Sequence, residues 1–82
     1  MTHGLEANPL ARVRAIVAEV LGIPVQETTD DLAMYGHPRW DSVAQIDIIL
    51  QLEDEFGLTV DDAMAPRFTT VALMAEQIGA AA

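Results

Sequence analysis

The sequence predicts an all-α fold, a small four-helix bundle built from three main helices and one short one. Apolar residues recur at three- and four-residue steps in two long stretches, 10–21 and 43–56, which is the spacing of one helix face. A capping residue precedes each stretch and a glycine follows it. No run reads convincingly as a strand.

Met1 to Ala7 reads as a frayed start. Asn8-Pro9 then opens the first helix, with Asn as the cap and Pro at the first helical position. Leu10, Val13, Ile16, Val17, Val20 and Leu21 form its apolar stripe; Arg12, Arg14 and Glu19 fall off it, and Gly22 stops it. Ile23 to Trp40 is a long connection rich in turn formers: Pro24, Thr28, Thr29, Asp30, Gly36 and Pro38. Val25, Leu32 and Met34 are its expected tacks to the core, and 30–34 is where a helical turn is expected. A loop of this length either serves a function or hides such a turn.

The second helix is expected from Ser42 to about Phe56, capped by Asp41 and ended by Gly57. Val43, Ile46, Ile49, Leu50, Leu52 and Phe56 are read as a broad buried side; the Ile48-Ile49-Leu50 run is wide for one face, which leaves two readings, all three in the core, the favoured one, or one of them exposed near Ser42. Ala44, Asp47, Gln51, Asp54 and Glu55 cluster opposite. Further on, 60–65 suits one or two helical turns before Pro66 interrupts. Thr69 is the expected cap of a last helix that turns Val71, Leu73, Met74 and Ile78 inward, until Gly79 and the alanine tail end it. The chain reads as one domain, 1–82, with an ordered core of about 8–79.

Size and charge exclude several functions. Eighty-two residues leave much of the surface wet, which disfavours a deep enclosed active site. With no cysteine there are no disulfides and no thiolate metal sites. The apolar runs are too short and too interrupted to span a membrane, and the first residues lack a signal-peptide pattern. A cytoplasmic location is the default expectation. Thirteen acids against four bases give a formal charge of −9. That charge repels nucleic acid and anionic membranes and favours encounter with basic protein surfaces.

The chemistry centres on Arg39-Trp40-Asp41-Ser42-Val43. A serine in the first helical turn presents its hydroxyl beside the positive end of the helix dipole, a favourable place for a phosphate. As a nucleophile it would need an adjacent base. His37 lies five residues earlier, but no strand–turn–helix elbow accompanies it, so hydrolysis is disfavoured. Asp30-Asp31 and Asp61-Asp62 are adjacent pairs rather than a calcium loop, and His3 and His37 have no ligand spacing, so no metal site is expected.

Asp41-Ser42-Val43 at the head of an amphipathic helix, the following Leu52 to Val60, and Phe68 to Leu73 together resemble the acyl and peptidyl carrier protein family. The resemblance covers Leu10 to Ile78. It implies that Ser42 carries a 4′-phosphopantetheine arm, moved from coenzyme A by a phosphopantetheinyl transferase, with Asp41 as motif residue and helix cap. The thiol of the arm would carry thioesters that the protein itself, having no cysteine, cannot. A carrier of this kind catalyses nothing; it positions and delivers.

The implied partners are an acyl- or aminoacyl-loading ligase or acyltransferase and a downstream synthase or transferase. They would read the second helix through Trp40, Val43, Asp47, Asp54 and Glu55, with the protein a monomer. Trp40 is open to two readings, a core plug for the loop, favoured by the usual burial of Trp, or an exposed docking residue. Arg39 stands where the family often has glycine, Val43 where leucine is usual, and Ala44 and Gln45 replace frequent acids. Trp40 before Asp41-Ser42 resembles a Trp-Asp-Ser subset of stand-alone carriers, which implies polyketide, nonribosomal or related secondary metabolism, and the acidic face thinned at Ala44 and Gln45 argues against the general fatty-acid synthesis enzymes as partners. The alternative is a carrier-like interaction module, never primed, acting through its acidic second helix; the intact Asp41-Ser42 argues against it.

Overall fold

A computed structural model of the protein describes residues 8–81. It contains three α-helices, α1 (Pro9–Leu21), α2 (Ser42–Phe56) and α3 (Val71–Ala81), with short 3-10 turns at Val25–Glu27 and Ala65–Phe68. The expected frayed start, Met1 to Ala7 with His3, lies outside the described residues.

Local chemistry sets the ends of α1. The Asn8 side-chain oxygen accepts from the N–H groups of Leu10 and Ala11 at 3.1 and 3.3 Å. Pro9 follows where a missing donor costs nothing. Gly22 closes the helix at φ 67°, a left-handed conformation that glycine adopts without a Cβ clash. Between them Val13, Ile16, Val17 and Leu21 are buried as their spacing predicts, Leu10 and Val20 are half-buried, and Ala18 joins them.

This stripe packs mainly on α3 and, over a smaller area, on α2. The core combines it with Ile48 and Leu52 of α2, Phe68 of the second 3-10 turn, and Val71, Met74 and Ile78 of α3. Trp40 closes it from the long connection.

That connection does more than cross the bundle. The Val71 and Ala72 N–H groups, at the open start of α3, donate to the carbonyls of Leu32 and Asp30 at 3.0 and 2.9 Å. Ala33 and Thr70 form an isolated antiparallel bridge, and no longer strand occurs among the described residues. The loop thus supplies the acceptors that α3 lacks within itself. Leu32 and Met34 are half-buried, but Val25 is exposed. The helical turn falls at Val25–Glu27 rather than at 30–34, whose backbone is engaged in pairing.

Three other expectations shift. The α3 cap is Thr70, not Thr69: its Oγ1 accepts from Leu73 N–H at 3.0 Å, whereas the Thr69 hydroxyl donates to Pro66 O. The expected turn ahead of Pro66 is present, with the Met64 and Ala65 N–H groups donating to the Asp61 carbonyl at 3.1 and 3.0 Å, but Pro66 opens the second 3-10 segment, Ala65–Phe68, rather than interrupting. Proline suits that place because its fixed φ is already helical. Gly79 lies inside α3, which continues to Ala81. A glycine within a helix lowers its stability without ending it.

Candidate functional site

The site is the head of α2. Asp41 has extended backbone angles, and its Oδ1 accepts from Ala44 N–H at 2.9 Å. Its carbonyl accepts from Gln45 N–H at 2.9 Å, starting the helix. Ser42, the first helical residue, is exposed. Among the described residues, no acceptor meets the N–H groups of Ser42 and Val43. The hydroxyl therefore stands beside unpaired donors at the positive end of a 15-residue helix.

Trp40, one residue before the cap, is fully buried, so the docking-residue reading is corrected. Its indole N–H donates to Gln45 Oε1 at 2.7 Å, and Gln45 Nε2 donates to the Phe68 carbonyl at 2.6 Å. One buried amide thus ties the residue leading into Asp41 to the first turn of α2 and to the 3-10 turn before α3. Sequence reasoning missed Gln45. The available signal was its place three residues before Ile48 and seven before Leu52, with a nearby indole needing an acceptor.

Arg39 directs its guanidinium at the end of α1, with Nη1 3.3 Å from the Leu21 carbonyl and 3.4 Å from that of Gly22. A cation suits that negative helix end. The His37 imidazole is half-buried, and its Nδ1 accepts from Arg39 N–H at 3.0 Å, a local turn contact.

The expected broad buried side of α2 is narrower than its apolar spacing suggests. Gln45, Ile48 and Leu52 are buried, while Ile49 and Phe56 are half-buried. Val43, Ile46 and Leu50 are 71, 60 and 55% exposed. Of the other elements, only α1 packs broadly against α2, so one stripe suffices to make the contact. The three exposed residues follow Ser42 at helical spacing and share the outward face with Asp47 and Asp54. Neither acid has an ion-pair partner among the described residues. Glu55 differs from them: its carboxylate binds Arg12 of α1, with Oε2 2.6 Å from Nη2 and 2.9 Å from Nε, and so is not a free docking acid.

Ser42, Val43, Asp47 and Asp54 thus lie on one exposed surface, whereas Trp40 is buried in the core and the Glu55 carboxylate is paired with Arg12. No pocket opens among the described residues, nor do three or more potential metal ligands cluster there. None of their helices is long and apolar enough to cross a membrane.

Residues 11–78 match the family model described as the phosphopantetheine attachment site, and the chain belongs to that family. It is therefore a carrier of the acyl and peptidyl carrier type, non-catalytic, whose cofactor is covalently attached 4′-phosphopantetheine. Carriers of this kind work with phosphopantetheinyl transferases and with the synthesis enzymes they supply.

Proposed function

We propose that Ser42 is the attachment residue and that the protein is a discrete acyl or aminoacyl carrier. The observation that carries this reading is an exposed first-turn serine behind a working Asp41 cap, with two unpaired N–H groups beside it. Those features fit a phosphodiester, which gains from nearby donors and from the helix dipole. In priming, the Ser42 oxygen bonds to the phosphorus that bears the pantetheine. The pyrophosphate bond of coenzyme A breaks, the adenosine bisphosphate half departs, and the serine proton passes to a base on the transferase. Asp41 is held by Ala44 N–H and serves this step by fixing the helix start.

The loading ligase or acyltransferase and the downstream synthase or transferase dock, on this reading, through Val43, Asp47 and Asp54, with Ile46 and Leu50 extending the surface. Trp40 contributes from behind by tying the start of α2 to the core through Gln45. Trp40 ahead of Asp41-Ser42 supports membership of the Trp-Asp-Ser subset and work in polyketide, nonribosomal or related secondary metabolism. The exposed apolar, acid-bearing face also favours a second reading, a module that docks without ever being primed.

Intact mass after incubation with coenzyme A and a broad-specificity phosphopantetheinyl transferase separates the two. One added phosphopantetheine on the native chain and none on Ser42→Ala is expected. Ser42→Ala should retain the native melting temperature, since an exposed first-turn serine contributes little to stability. An unmodified native chain, with the transferase active on another carrier, would favour the unprimed module.

A further inference from the structure

Tyr35 has a positive φ of 68°, and it is the one non-glycine residue among those described to do so. Its turn is closed by Gly36 N–H donating to the Ala33 carbonyl at 2.7 Å. That places Tyr35 third of four, where a positive φ calls for Gly or Asn, and a tyrosine Cβ is strained there. Gly36 has its own requirement, because a Cβ at that position would meet the Ala33 carbonyl oxygen at 3.0 Å. Burial does not offset the strain at Tyr35, whose side chain is among the large hydrophobic ones left out of the core, at 69% exposure. Strained, exposed residues concentrate where a binding surface requires them.

The place of this turn is also informative. Tyr35 N–H donates to the Trp40 carbonyl at 2.7 Å, which ties the strained residue to a point two residues before Ser42. An enzyme that forms a bond to the Ser42 oxygen must lay its own surface over this end of the molecule. Arg39 apart, the exposed charges nearby in the chain are acidic: Asp30, Asp31 and Asp41 before the serine, Asp47 and Asp54 after it. The one intervening cation, Arg39, is turned to the carbonyls that end α1.

We infer that Tyr35 is an anchor for the transferase that installs the arm, its ring entering an apolar depression rimmed by Arg or Lys. This rests on the assignment of Ser42 above. Aromatic side chains suit such anchoring because they bury a large area while fixing few torsions.

The test is steady-state priming with a broad-specificity phosphopantetheinyl transferase and saturating coenzyme A, with carrier concentration varied. Tyr35→Asn removes the ring and relieves the backbone; Tyr35→Phe keeps the ring. The Asn variant should melt no lower than the native chain. Its KM should rise about fivefold or more, the loss expected for truncating an interface anchor, with kcat little changed. The Phe variant should behave as native. A KM for Tyr35→Asn within about twofold of native, on a native chain that is primed, overturns the anchor and leaves the Ser42 assignment standing. A Phe variant as weak as Asn, or an Asn variant that melts lower, overturns it too, by assigning the ring to another role. If the native chain takes up no phosphopantetheine, the Ser42 assignment fails and the anchor with it.

Discussion

Helices α1 and α2 carry similar apolar spacing and use it differently. In α1 the whole stripe from Leu10 to Leu21 is buried or half-buried, because α3 and α2 both cover it. In α2 only α1 packs broadly along the helix, and Val43, Ile46 and Leu50 remain in water. Apolar periodicity identifies a helix, but the number of neighbours sets how much of the apolar surface is buried. Full burial of such a side chain is worth about 1.5–3 kcal/mol, so the open face of α2 retains binding energy that folding has not used.

The contrast within α2 can be broken by truncation. Ile48→Ala should destabilise by about 2–5 kcal/mol, the range for emptying a core position. Leu50→Ala, two residues on, should change stability by no more than about 0.5 kcal/mol. Chemical denaturation of both decides it, and equal losses would remove the distinction. A smaller effect should follow from charge reversal on the open face. Asp47→Lys with Asp54→Lys should slow capture by a basic-surfaced partner about tenfold at low salt, and flatten its salt dependence. Stopped-flow association at two ionic strengths measures this, and unchanged low-salt rates would sink the steering role. The smallest change belongs to the clamp between the helices. Glu55→Gln removes the negative charge that Arg12 pairs with at a partly exposed site, and thermal melts should lose no more than about 1 kcal/mol. A larger loss would mean that the clamp carries the α1–α2 contact.

Elements set by local chemistry were legible in the sequence. Asn8-Pro9, Gly22, Asp41 and Gly57 mark helix ends because a short acceptor or a missing Cβ acts within one turn of backbone. Ser42 stood out for the same reason, and the family match agrees with the resemblance drawn from the residues around it. Features set by distant neighbours were not legible. Thr69 and Thr70 are equally good caps on paper; the pairing of Ala33 with Thr70 and of Leu32 with Val71 selects the second. Gln45 looked like a lost surface acid until Trp40 and Phe68 supplied its two partners. Ile46 and Leu50 matched the core pattern, and only the arrangement of the other helices leaves them exposed.

The buried indole beside Asp41 also gives the protein an internal optical reporter. Trp40 is the sole tryptophan and Tyr35 the sole tyrosine, and one backbone hydrogen bond of 2.7 Å joins them. Emission excited at the red edge of the absorption band comes from Trp40 alone and starts blue-shifted, because the ring is shielded from water. Unfolding shifts that emission together with the loss of helical circular dichroism. A red shift at constant helicity therefore records a local event, the lifting of the loop that leads into Ser42 while the bundle beneath it stays folded.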